Sequence, residues 1–101
     1  MEIERIGVVG CGLMGSGIAE VCARSGYSTV VREVSDAVLE KGLGRIEASL
    51  DRAVARAKMS EAERDEARAR LEGTTELSDL SGCDLVVEAI VESLEIGRAH
   101  V

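Results

Sequence analysis

Residues 3–15 read Ile-Glu-Arg-Ile-Gly-Val-Val-Gly-Cys-Gly-Leu-Met-Gly, a short run rich in β-branched residues that stops at Gly10 and then spaces glycine as Gly10-x-Gly12-x-x-Gly15. Ile3 to Val9 has the apolar character of a strand covered on both faces in a parallel sheet. From Leu13 to Arg24 the apolar residues Leu13, Ile18, Val21 and Cys22 recur at helical spacing, and Gly26 stands where a left-handed C-cap belongs. Ser28 to Arg32 is β-branched again and ends at Glu33. Strand, glycine turn, helix, glycine cap and strand make a βαβ unit, right-handed as such units nearly always are.

Beyond Glu33 the pattern is helical. Ser35 or Asp36 caps a long segment in which Val38, Leu39, Leu43, Ile46, Leu50 and Val54 keep one apolar stripe to about Lys58. Ser60 with Glu63 forms a capping-box pattern that starts a second, highly charged helix ending near Leu71 and Gly73. The two are expected to pack as an antiparallel hairpin, an insertion where a parallel crossover usually has one helix. Thr74 to Leu77 is read as a short strand, Ser78 to Ser81 as a single turn, and Asp84 to Ile90 as another buried parallel strand. The expected class is therefore α/β, a Rossmann-type parallel sheet with a helical hairpin inserted after the second strand, the domain being incomplete.

Composition narrows the function. With 101 residues the chain holds one core, and its formal charge of -7 opposes nucleic acid or an anionic membrane surface as partners, leaving a small molecule. Tyr27 is the one aromatic side chain, so no stacking platform for single strands exists. Cys11, Cys22 and Cys83 are odd in number and lack metal-ligand spacing, which reads as reduced thiols and no metal site, with Cys11 alone placed to meet a ligand. No segment resembles a signal peptide or a membrane span, and a cytoplasmic location is expected.

The glycine loop has the context of a dinucleotide fingerprint: the first Gly follows a strand, the second precedes a helix and the third lies in its first turn. A diphosphate then rests on the helix N-terminus. Glu33, at the end of the second strand, is the acid that accepts the adenosine ribose hydroxyls, and its charge opposes a 2′-phosphate; NAD is favoured over NADP. Arg32 is the one neighbour able to turn towards such a phosphate, although on a strand it should face away from Glu33.

Three motifs in this order resemble the amino-terminal domain of the 3-hydroxyacyl-CoA dehydrogenases. They are Val8-Val9-Gly10-Cys11-Gly12-Leu13-Met14-Gly15-Ser16-Gly17-Ile18-Ala19, Arg45-Ile46-Glu47-Ala48-Ser49-Leu50 in the hairpin, and Asp84-Leu85-Val86-Val87-Glu88-Ala89-Ile90-Val91-Glu92. The resemblance implies that NAD lies across the carboxyl ends of the strands and takes hydride from C3 of a 3-hydroxyacyl-CoA. Gly10, Cys11, Gly12, Leu13, Met14 and Gly15 would cradle the diphosphate, Glu33 would hold the adenosine ribose, Ala89 and Ile90 would line the cleft, and Glu92 would bond the nicotinamide-side ribose. Ser49 and Arg56 stand where the family touches CoA, and Cys11 is a tolerated variant of a usually small loop residue.

The family's catalytic His, its orienting Glu and its substrate-holding Ser and Asn lie further along the chain, so no catalytic residue is assigned; His100 is outside that motif. Residues 1–94 read as a partial NAD-binding domain. Glu95-Ile96-Gly97-Arg98-Ala99-His100-Val101 breaks the family pattern, and its back-translation GAG ATC GGA AGA GCA CAC GTC reproduces a common sequencing-adapter sequence after the first base. Residues 95–101 are therefore expected to be a non-native tail, and the parent enzyme a homodimer through a later domain. The competing readings are a 3-hydroxyisobutyrate-type dehydrogenase, which shares the Gly-x-Gly-x-Met-Gly loop, and a stand-alone NAD-binding module without catalysis.

Overall fold

The computed structural model describes residues 2–89. Four parallel strands, β1 (Arg5–Val9), β2 (Ser28–Arg32), β3 (Leu71–Thr74) and β4 (Leu85–Glu88), form one sheet in the order β3-β2-β1-β4. Helix α1 (Leu13–Arg24) joins β1 to β2, α2 (Asp36–Ala55) and α3 (Glu61–Ala69) join β2 to β3, and a 3-10 turn (Leu77–Leu80) precedes β4. The chain crosses from one side of β1 to the other between β3 and β4, so the switch point of this parallel sheet lies between β1 and β4.

Ile3, read as the first strand residue, lies outside β1 and is exposed. The ladder begins at Arg5 opposite Ser28, where β2 itself begins. Just before it, the Asp84 carboxylate accepts the N–H groups of Glu4 and Arg5 at 2.9 and 3.0 Å, tying the start of β1 to the start of β4.

The buried face of α1 differs from the apolar stripe expected of it. Leu13 and Val21 are 83% and 63% exposed, whereas Gly15, Ser16, Ala19 and Ala23 are buried. The helix lies too close to the sheet for large side chains: a Cβ at Gly15 would collide with the Gly10 carbonyl oxygen. Small residues thus define the contact, with Ile18 and Cys22 at its margin. Gly26, at φ 101°, ends the helix with its N–H on Ala23 O and that of Tyr27 on Cys22 O, a Schellman motif.

Ser35 caps α2, and the capping box of Ser60 and Glu63 starts α3. Ion pairs of Arg64 with Asp51 and of Arg68 with Glu47 and Asp51 run in opposite senses along the two helices, which makes the hairpin antiparallel. Between them Ala57 takes φ 57°, the left-handed conformation usually left to glycine.

Two expectations are corrected here. The third strand is Leu71–Thr74, not Thr74 to Leu77, and Gly73 lies inside it; Leu39 and Leu43 of α2 cross so near that a Cβ at Gly73 would crowd them. The fourth strand pairs parallel with β1 as expected, but Leu85 and Val86 are exposed, because β4 is the edge strand of the described sheet. The main core lies between the sheet and the three helices, centred on Val8, Val31, Ala19, Ile46 and Leu50. No described helix is long and apolar enough to cross a membrane.

Candidate functional site

Sequence spacing and sheet topology converge on one place, the carboxyl ends of β1 and β2 beside the switch point. A cleft of about 280 Å³ opens there, lined by Val9, Gly10, Gly12, Arg32, Glu33, Val34 and Ala89. Gly10 takes φ 98°, which turns the chain out of β1, and its N–H bonds Arg32 O at 3.0 Å, holding the turn to the end of β2. Gly15 admits the close packing of α1 just described. Gly12 faces open space, with no atom within 4 Å of a Cβ placed on it, so the main chain there is open to a close ligand.

The end of α1 that meets the cleft is unlike the corresponding ends of α2 and α3. Its N-cap is Gly12, no side chain bonds its first N–H groups, and no acid stands in its first turn. The other two are capped by Ser35 and Ser60. Orphan donors and the positive end of the helix dipole thus stand available to an anion. Leu13 and Met14, both exposed, flank that end.

Glu33 closes the other side. Its Oε2 accepts the Cys11 N–H at 2.8 Å and its Oε1 accepts the Val34 N–H at 2.8 Å, so the carboxylate is fixed between β2 and the glycine loop. Each oxygen keeps acceptor capacity for a hydroxyl. Arg32 donates from Nε to Thr75 O at 3.2 Å, which anchors its guanidinium towards the end of β3. The residues present therefore fit a dinucleotide without a 2′-phosphate: glycine main chain and uncapped helix for the diphosphate, and a placed carboxylate for a ribose diol.

Cys11 presents only main chain to the loop. Its thiol is fully buried, 3.6 Å from Ser16 Oγ and against Gly42, and burial pushes its pKa up. The thiol is turned into the core, and Cys11 is not among the residues that line the cleft. All three cysteines are unpaired thiols, and no cluster of metal-binding side chains occurs among the described residues.

The two residues read as CoA contacts are on α2. Ser49 lines a groove of about 290 Å³ between α1 and α2 with Leu13, Ser16, Gly17, Glu20, Arg45, Ala48 and Arg52. Arg56, exposed at the C-cap of α2, lies outside that groove, and Arg52 stands inside it. Ala89 lines the cleft, its N–H bonded to Val9 O at 2.8 Å. Ile90, Glu92 and the segment 95–101 lie outside the described residues.

Sequence reading missed Gly42 and Arg45, which brace the loop from α2. Gly42 carried a signal, since it lies one turn before Ile46 on the buried stripe, where a glycine marks close approach.

Residues 5–100 match the family model described as 3-hydroxyacyl-CoA dehydrogenase, NAD binding domain. The chain is 53% identical over 90 residues, 89% of its length, to a 3-hydroxybutyryl-CoA dehydrogenase of Mycobacterium tuberculosis strain CDC 1551, covering 32% of that protein. The crystal structure of M. tuberculosis FadB2 superposes with a TM-score of 0.89 at 50% identity, covering 95% of this chain and 34% of that one. The (S)-3-hydroxybutyryl-CoA dehydrogenase PaaH1 of Ralstonia eutropha gives 0.87 at 40%, again covering 95% and 34%. The chain thus spans about one third of the length of these relatives. By sequence and by fold the chain belongs to the NAD-binding domain family of the 3-hydroxyacyl-CoA dehydrogenases, and its cofactor is NAD.

Proposed function

We propose that this chain supplies the NAD-holding part of an enzyme that interconverts 3-hydroxyacyl-CoA and 3-ketoacyl-CoA, with 3-hydroxybutyryl-CoA as the substrate its relatives' names indicate. One observation carries the reading: among the described α-helices α1 alone lacks a side-chain cap, and its open end lies beside a carboxylate already fixed at the end of β2. In this role the main chain of Gly10 to Gly15 seats the diphosphate, Glu33 accepts the adenosine ribose hydroxyls, Ala89 and Ile90 wall the cleft, and Glu92 serves the second ribose. Bound NAD supplies the hydride acceptor. Ser49 and Arg56 on the hairpin hold CoA, the arginine as a fork for a phosphate. The general base and the dimer surface belong to sequence beyond residue 94.

The long hairpin favours an acyl-CoA over a free hydroxy acid, because it adds a serine and cations on α2 that a small acid would not reach. Expressed from its source locus and assayed with NADH, the protein should reduce acetoacetyl-CoA and leave 3-hydroxyisobutyrate with NAD untouched. Turnover of the free hydroxy acid without acetoacetyl-CoA activity would overturn this assignment.

A further inference from the structure

The inserted hairpin also reaches the glycine loop. Cys11 is held on every side: its N–H by Glu33 Oε2 at 2.8 Å, its carbonyl oxygen by Arg45 Nη1 at 3.1 Å and Ser16 Oγ at 3.2 Å, and its thiol by the bare backbone of Gly42. Gly42 and Arg45 are three residues apart on α2, hence on one face of that helix. Among the described residues Arg45 has no carboxylate within ion-pair distance, and its one hydrogen bond is to this main-chain oxygen.

The carbonyl of Cys11 and the N–H of Gly12 belong to the same planar trans peptide, so they point in opposite directions. Fixing the carbonyl on Arg45 fixes the Gly12 N–H on the other side. Among the described residues that N–H meets no acceptor, and Gly12 borders the cleft and faces open space. A glycine on its C-terminal side makes this peptide easy to flip, and a flip would present a carbonyl oxygen where an anion is to sit.

We propose that Arg45 is a positioning residue for the cofactor: it pins the Cys11–Gly12 peptide so that the Gly12 N–H, and not the Cys11 carbonyl, faces the diphosphate. The inserted helix thereby sets the donor geometry of a loop to which the βαβ unit alone leaves freedom. The proposal rests on the NAD reading of the loop.

The test uses the protein expressed from its source locus and its R45M and R45K variants, titrated with NAD and with adenosine, which has the ribose but no diphosphate. R45M should weaken NAD about tenfold, as for loss of one charge-assisted contact, and change adenosine less than about twofold; R45K should recover most of the NAD affinity. A second readout needs no ligand. Alkylation of Cys11, located by peptide mass mapping, should quicken about tenfold in R45M and return towards the parent rate in R45K, with the melting temperature held within a few degrees. Parent-like NAD binding and Cys11 alkylation in R45M would overturn the proposal, as would equal losses for NAD and adenosine. If the parent chain binds no NAD, the cofactor reading fails, and the alkylation rate alone then decides whether Arg45 pins the loop.

Discussion

The carboxylate of Glu33 holds the main-chain N–H of Cys11 at 2.8 Å, although 22 residues separate them in sequence. The acid proposed to meet a ribose is therefore also a brace between β2 and the glycine loop. E33A should lower NAD affinity by about ten- to a hundredfold, the scale of a lost hydrogen bond to a charged group. It should also narrow the preference for NAD over NADP, because the like charge opposing a 2′-phosphate is gone. Parallel titrations with the two dinucleotides measure both effects; an unchanged preference would mean that Glu33 does not face the ribose.

The glycines of the loop and of α1 separate fold from binding. G15A places a Cβ against the Gly10 carbonyl oxygen and should destabilise the chain by about 1–3 kcal/mol or more. G12A meets no atom, so its melting temperature should stay near the parent value while NAD affinity falls. G17A also meets nothing and replaces a glycine inside α1, so it should stabilise by about 0.5–1 kcal/mol. Thermal unfolding of the three variants, with NAD titration of the last two, checks this ordering.

The glycines of the loop also mark what the sequence made legible. Gly10, Gly12 and Gly15 gave the loop and its helix, because conformational freedom and close approach restrict a position to glycine in a recognisable pattern. The exposed faces of Leu13 and Val21 were not legible, since helical periodicity counts apolar residues and takes no account of how close the helix lies to the sheet. Gly73 misled for a related reason: a glycine reads as a helix stop, and here it makes room for Leu39 and Leu43. The hold of Arg45 on the Cys11 carbonyl was invisible because it depends on where α2 crosses the loop, a tertiary fact with no local signature. Glu33, by contrast, was found from its place at the end of a strand.

Ala57 carries a local cost. Its φ of 57° puts an alanine in the left-handed region at the end of α2, where its N–H bonds Val54 O and that of Lys58 bonds Ala53 O. A57G removes the steric penalty of about 1–2 kcal/mol and gives back part of it as unfolded-chain entropy. A net gain of about 0.5–1 kcal/mol is expected by denaturant unfolding with an unchanged slope.

Asp84 makes stability depend on acid. The N–H groups of Glu4 and then Arg5 hold its pKa below the usual 3.8, with desolvation a smaller opposing effect. A depressed carboxylate contributes stability that is present above its unfolded pKa and is lost as pH falls through the lower, folded value. D84N removes this dependence: the variant should be less stable at neutral pH, and its stability should fall less steeply below about pH 4. Unfolding curves between pH 2 and 7 compare the two limbs, and coincident acid limbs would show that Asp84 does not anchor the start of β1.

The most direct measurement is an amide nitrogen–proton NMR titration of the chain with NAD. Saturable shifts should be largest at Gly10, Cys11, Gly12, Leu13, Gly15 and Val34, around the uncapped end of α1 and the Glu33 carboxylate, with α3 unmoved. Saturable shifts centred on α3 or the outer face of the hairpin, or no saturable shift at the glycine loop, would contradict the assignment of this cleft to the dinucleotide.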